Sequence, residues 1–267
     1  MAHLNFDKPK YFEIQYLNSK GSIVPFVSDF FSPEKGKRVM EIGSAEGGVI
    51  SAFLELDCQC LGVELSPSRV NLANEFLKEQ VLEGSIAFVA KDIFDFSEEE
   101  LKDQFDLVIL KDVIEHIHDQ EKFMKQVEKF LKVNGKIFFG FPAWRMPYGG
   151  HQQIAKSKIA SKLPYYHILP KGIYRGMLKL FGESPRVIES LLEIKDTRIS
   201  TRRFEKICVK NDYKVIKRTK YFVAPIYEYK FNYKTKKLWR WVGVLPWIND
   251  FFTFQSYYLI EKSEKNK

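Results

Sequence analysis

The stretch VMEIGSAEGG, residues 39–48, decides how the rest of the chain is read. An apolar run ends in glycine and a glycine-rich loop follows. After a buried strand, such a loop commonly cradles the phosphates of a dinucleotide at the start of the next helix. Here Glu41 stands just before the first glycine and Glu46 interrupts the loop. Both would repel a phosphate. The loop asks for a ligand that is drawn to negative charge.

Outward from this loop, apolar runs alternate with helical stretches. RVMEIG (38–43) reads as a strand and GGVISAFLEL (47–56) as a helix. CQCLGVEL (58–65) is a second strand, and SPSRVNLANEFLKEQ (66–80) is a helix opened by Pro67 in its first turn. SIAFVAKDIFDF (85–96) contains a third strand, and Leu107–Leu110 a fourth, apolar on both faces. The spacing of Phe123, Val127, Phe130 and Leu131 predicts a helix, with Asn134-Gly135 as its C-cap. KIFFGFP (136–142) is a fifth strand. Apolar strands alternating with helices imply an α/β fold with a parallel sheet covered on both faces.

After Pro142 the rhythm breaks, and it resumes with a helix in TRISTRRFEKICVKND (197–212) and strands in YKVIKRTKYFVAP (213–225) and TFQSYYLIEK (253–262). We read 1–267 as one domain. Residues 1–36 form a helical lead-in, and 143–196 and 224–252 are insertions that fold over the ligand-binding edge as a substrate cap.

The 267 residues are 45% hydrophobic, enough for a sizeable core, and three cysteines make no paired framework. No apolar run long enough to span a bilayer is present, and MAHLNFDKPK lacks the apolar region of a secretory signal. The expectation is a cytoplasmic protein. Charge is split: residues 1–135 carry 15 Lys and Arg against 24 Asp and Glu, and residues 136–267 carry 27 against 10. The back half is therefore suited to an anionic partner, or else its lysines solubilise an aromatic-rich surface.

Ligands of open parallel sheets sit beyond the carboxyl ends of the strands. Glu64, 21 residues after Gly43, is placed to bind the two hydroxyls of a ribose. That feature fits a nicotinamide cofactor and S-adenosylmethionine alike. Glu41 favours the second, which carries a sulfonium and an ammonium and no phosphate. Asp92 after the third strand can accept from an adenine amino group, with Ile93 against the ring.

At this point VMEIGSAEGG, GVELSPSRVNLA, AKDIFDF, FDLVILKDVIEHI and LKVNGKIFFGFP resemble, in order, the successive motifs of class I S-adenosylmethionine-dependent methyltransferases, in the broad small-molecule and quinone-pathway group. The resemblance covers about residues 37–142. It implies a Rossmann-like seven-stranded mixed sheet of order 3-2-1-4-5-7-6 with strand 7 antiparallel. It also implies cofactor contacts at Glu41, Gly43, Ser44, Gly47, Glu64, Leu65, Asp92 and Ile93. Ala45 departs from the family's usual middle glycine.

Methyl transfer to a hydroxyl needs positioning, exclusion of water and removal of a proton. His116, beyond the fourth strand, and His151, after Gly149-Gly150, are the candidate catalytic residues; His118 and His167 are expected to face solvent or the cap. Asp112, Glu115 and His116 spell D-x-x-E-H, similar to the E-x-x-E-H of metal-binding O-methyltransferases. At i, i+3 and i+4 of a helix they would share one face and suit Mg2+ or manganese, with His151 completing the set. Trp144, Tyr148, Tyr165 and Tyr166 would line an apolar acceptor pocket or form the cap's own core.

The expected activity is methylation of a small-molecule or lipid-like acceptor, with oxygen the favoured atom. RNA methylation and a non-catalytic cofactor-binding scaffold are the alternatives, though no RNA-binding module is recognisable, so nucleic acid is not expected as a partner. Trp239, Trp241 and Trp247 beside Lys and Arg suggest weak contact with an anionic membrane, against a packed cap as the plainer reading. The acceptor and the oligomeric state are not legible.

Overall fold

The computed structural model describes residues 7–97, 99–245 and 247–263. Among these residues eight strands form one sheet: β1 (Arg38–Ile42), β2 (Gln59–Glu64), β3 (Ile86–Ala90), β4 (Phe105–Lys111), β5 (Leu131–Phe141), β6 (Tyr213–Val223), β7 (Lys236–Lys237) and β8 (Gln255–Lys262). Their order is β3-β2-β1-β4-β5-β8-β6-β7. β1 to β5 are parallel, and β8 runs antiparallel to both β5 and β6. The seven long strands thus have the expected order. The eighth is the two-residue β7, which pairs with the outer edge of β6.

Period-two alternation divides the strands between two cores. Met40 and Ile42, Val108 and Leu110, and Ile137, Phe139 and Phe141 face one; Val39, Leu107, Ile109 and Phe138 face the other. On the first face pack Phe123, Met124 and Val127 of the helix Gln120–Glu128 and Phe204 of Thr201–Lys210. On the second pack Val49, Ile50 and Phe53 of the helix Gly48–Leu54, with Ile23, Phe26 and Val27 of the lead-in.

One boundary differs from the sequence reading. The helix ends at Glu128, and Asn134-Gly135 lies within β5, not at a helix end. Leu131 already pairs with Phe105, the next pair is Leu107 with Lys136, and Asn134 takes a left-handed φ of 65° in the bulge between them. Asn-Gly marks a tight turn here, but the turn belongs to the strand.

The lead-in is a helix, Lys8–Asn18, continued through a π turn (Ser19–Ile23) into Val24–Val27; residues 1–6 lie outside the described part. Asp7 caps it by accepting from the Lys10 amide. The segment 143–196 has a core of its own, built from Tyr166, Tyr174, Leu178, Ile188, Leu191 and Leu192. Its helices are Lys171–Leu180 and Pro185–Thr197, the second capped by Ser184.

The lead-in helix crosses the start of Gly48–Leu54 so closely that a Cβ on Gly48 would sit 2.6 Å from the Phe12 carbonyl oxygen and 2.8 Å from the Gln15 Cβ. Gly48→Ala should therefore lose about 1–3 kcal/mol of stability in urea unfolding through overpacking. Helix propensity alone would favour alanine by about 1 kcal/mol. A variant as stable as the parent would show that the contact is slack.

Candidate active site

The glycine loop folds back over β2: the amides of Gly43 and Ser44 both donate to the Val63 carbonyl, at 2.7 and 3.1 Å. Gly43 has φ +73°, and a Cβ there would meet Val113 at 2.5 Å. Gly47 has φ +85°, with Phe88 2.7 Å from a Cβ. Ala45 takes φ 48° in the same left-handed region without a glycine. The Ser44 hydroxyl is buried and finds no partner among the described residues.

Glu41 is buried, and its Oε2 accepts from the Ile50 amide at 3.0 Å, which ties β1 to the first turn of the helix beyond the loop. Burial holds its carboxyl well above the usual carboxylate range. Glu46 is also buried, but Lys8 reaches it at 2.5 Å and Arg69 stands 3.9 Å away. The loop is therefore not a bare acidic cradle, because cations of this chain already face Glu46.

Further along the same edge, Glu64 accepts from the Ala45 amide through Oε2 and from the Ser66 amide through Oε1, both at 3.0 Å. These bonds fix the carboxylate and leave lone pairs free on each oxygen. Leu65 beside it is 69% exposed. Glu64 and Ala90 are in register, so the turn after β3 lies next to it. There Asp92 accepts from the Phe94 amide at 2.9 Å, above the buried Ile93. The expected cofactor residues thus line the carboxyl ends of three neighbouring strands.

At the end of β4 the sequence reading needs correction. Asp112 has φ 56°, and only Ile114–His116 form a 3₁₀ turn, so Asp112, Glu115 and His116 do not share a helix face. Asp112 is instead committed to its neighbours. Lys111 pairs with one carboxylate oxygen, Gln255 donates to the other at 3.2 Å, and its amide donates to the Gly140 carbonyl at 2.7 Å.

What converges is Glu115, His116 and His151, with one ligand atom of each lying within 4.8 Å of the others. The two imidazole rings meet edge to face at 5.2 Å. Glu115 is buried, and neither carboxylate oxygen has a partner among the described residues. Its backbone carbonyl accepts from the Thr197 hydroxyl at 2.6 Å, which pins the turn against Pro185–Thr197. Burial, and His116 beside it, push the His151 imidazole down to about 4.

Two cavities meet at Asp112. One, of about 150 Å³, is lined by Lys8, Tyr11, Glu41, Gly43, Ser44 and Lys111. The other, of about 280 Å³, is lined by Glu115, Met146, Tyr148, His151, Tyr227, Lys230 and Phe254. Of the cap aromatics, Tyr148 reaches this second cavity. Trp144 and Tyr166 are buried against His167 and Tyr174, and Tyr165 lies against Phe251. His167 is buried, its Nε2 2.8 Å from the Trp144 carbonyl, and His118 is exposed.

Lys8, Tyr11, Lys111, Lys230 and Gln255 escaped the sequence reading. Lys111 alone left a trace, as a cation directly after a fully apolar strand. Burial, with Lys111 nearby, pushes the Lys230 ammonium down to about 8.

Residues 33–212 match the family model described as a methyltransferase domain. Norajmaline N-methyltransferase of Rauvolfia serpentina is 35% identical over 96 residues, 35% of this chain and 32% of the relative. Ubiquinone biosynthesis O-methyltransferase of Coxiella burnetii is 24% identical over 145 residues, 52% of this chain and 56% of the relative. The chain thus spans from just under a third to just over half of the length of these relatives. The solved structure of geranyl diphosphate C-methyltransferase from Streptomyces coelicolor has the same fold, at TM-score 0.54 and 14% identity, over 92% of this chain and 79% of that one. Among the described residues no helix is long and apolar enough to cross a membrane. The chain belongs to the methyltransferase-domain family, the class I S-adenosylmethionine-dependent methyltransferases.

Proposed function

We propose that the protein methylates an oxygen of a small-molecule or lipid-like acceptor held in the 280 Å³ cavity. The observation that carries this reading is the meeting of the two cavities at Asp112, which would set the cofactor beside a pocket walled by both apolar and ionisable side chains. S-adenosylmethionine, when bound, supplies an electrophilic methyl group on its sulfonium. On the cofactor side, Glu64 would accept from the ribose hydroxyls with its free lone pairs, and Asp92 from the adenine amino group.

On the acceptor side, Met146, Tyr148, Tyr227 and Phe254 exclude water and hold the acceptor's apolar body. The acceptor hydroxyl must lose a proton as its oxygen takes the methyl. Glu115, His116 and His151 are the groups that can manage that proton, which favours oxygen over nitrogen as the methylated atom. Their donors also fit a divalent ion: the orphaned Glu115 carboxylate and two imidazoles are a complete three-ligand set. One carboxylate with two imidazoles suits manganese, zinc or iron better than magnesium, which keeps the manganese and drops the magnesium of the expectation built on Asp112. Such an ion would lower the pKa of the acceptor hydroxyl.

Removing the Glu64 carboxylate should weaken S-adenosylhomocysteine binding. Calorimetry on Glu64→Ala should read a loss of roughly 1.5–3 kcal/mol, and an unchanged affinity would remove Glu64 from the cofactor site.

Metal binding can be read without turnover. Titration with Mn2+ or Zn2+ alone should show one site, weakened at least about tenfold in Glu115→Gln and in His151→Ala. Mass spectrometry of cell extracts for a metabolite that gains a methyl only in the presence of the protein would identify the acceptor. With it, full activity in excess chelator would end the metal assignment, and full turnover in His116→Ala would take His116 out of the chemistry.

A further inference from the structure

The segment between β6 and β8 exposes an unusual amount of tryptophan. Trp239, Trp241 and Trp247 are 54%, 68% and 53% exposed, and Val244 among them is 72% exposed. Exposed apolar side chains gathered in one short segment mark a binding surface. Within this stretch Val242 is buried, and the three tryptophans are each more than half exposed.

The charges around them are mostly basic. Lys236 and Lys237 are exposed on β7, just before Trp239. Arg145 and Arg202 stand over the Trp247 ring, at 4.8 and 4.5 Å. Beside Trp247 and Val244 opens a cavity of about 610 Å³, with Arg145, Arg202, Arg218 and Lys220 in its wall. Its acids are already engaged: Glu205 accepts from Arg218 and Tyr258, and Asp250 from Thr201. Lys220 donates to the neutral oxygens of Thr201 and Asn249.

A line of rings runs from this surface to the acceptor cavity. Trp239 meets Phe222 at 5.2 Å, Phe222 meets Phe254 at 5.9 Å, and Phe254 lines the cavity.

We propose that this face docks on an anionic phospholipid bilayer. Trp241, Val244 and Trp247 sit at headgroup level, and Arg145, Arg202 and Lys220 face lipid phosphates. Tryptophan is suited to that layer because its ring is amphipathic, and basic side chains beside it are attracted to the negative surface. A protein partner would need a matching acidic, apolar face; the bilayer supplies both properties at once. The inference is independent of the methyl-transfer reading, since binding is read without turnover.

The test is flotation of the full chain with vesicles of phosphatidylcholine alone and of phosphatidylcholine with phosphatidylglycerol, at low and high salt. The protein should float with the anionic vesicles at low salt, with a blue shift of tryptophan emission, and binding should fall at least about tenfold at high salt. The double variant Trp241→Glu/Val244→Glu and the single variant Arg202→Glu alter exposed side chains. Each should lower binding at least about fivefold, with S-adenosylhomocysteine affinity unchanged as the check on folding. Absence of flotation on anionic vesicles at low salt overturns the proposal, as does equal binding to neutral vesicles or unaltered binding by both variants. A dimer in sedimentation velocity that the double variant dissolves, without flotation, would assign the face to a second copy instead.

Discussion

The geometry of the site depends on one ion pair, buried on its lysine side and half-exposed on its aspartate side. Lys111 ends the central strand β4 with its side chain almost wholly enclosed, and the next residue, Asp112, turns its carboxylate back onto it. Burial alone would raise the Asp112 carboxyl, but the Lys111 ammonium wins and holds it below its usual value. Leaving the enclosed Lys111 ammonium unpartnered in such a place typically costs about 3–5 kcal/mol. Asp112 is therefore confined to a single orientation. Its other contacts, to Gly140 of β5 and Gln255 of β8, tie three strands together at the floor of the site.

That confinement divides the chemistry. Because Asp112 forms part of both cavities, it is a partition between them, and its own charge is spent on Lys111. Glu115, three residues on, is left as a buried carboxylate without a hydrogen-bond partner among the described residues. Burial first, and then the nearby Asp112 charge, hold its carboxyl well above the ordinary range. A group in this state must be protonated or take a cation, and in the proposed metal reading the two imidazoles beside it would provide the remaining ligands.

Most of the sheet was legible because parallel strands buried on both faces are continuous apolar runs, as in Leu107–Leu110. The positions expected to hold the cofactor were placed for a related reason: Glu64 closes β2, and Asp92 lies two residues beyond β3. Where the reading failed, a local pattern was overruled by contacts made at a distance. Asn134-Gly135 imitates a helix stop, but Phe105 claims Leu131 for the sheet first. The spacing of Asp112, Glu115 and His116 suits a helix, but pairing with Lys111 and Gln255 leaves Asp112 at a positive φ. His151 reaches His116 only because Gly149 and Gly150 pack where side chains would collide with the Trp144 carbonyl and with His167. Nothing periodic in the sequence announces that approach, and the same holds for Lys8 and Tyr11, which come from the far side of the chain.

The lead-in helix has a consequence for traffic. The cleft beneath it, about 150 Å³, is smaller than the roughly 300–1,000 Å³ usual for small-molecule sites. Its two ends are fastened unequally. Near Gly48–Leu54, Tyr16 and Lys20 both grip Glu55, whereas the entrance is held by the half-exposed Lys8 on Glu46. With the cofactor placed in this cleft as proposed, its loading would require the first turns of Lys8–Asn18 to give way at the Lys8–Glu46 contact. With both substrates placed as proposed, they would occupy separate cavities that share only Asp112 between their linings, so neither would need to pass through the other's.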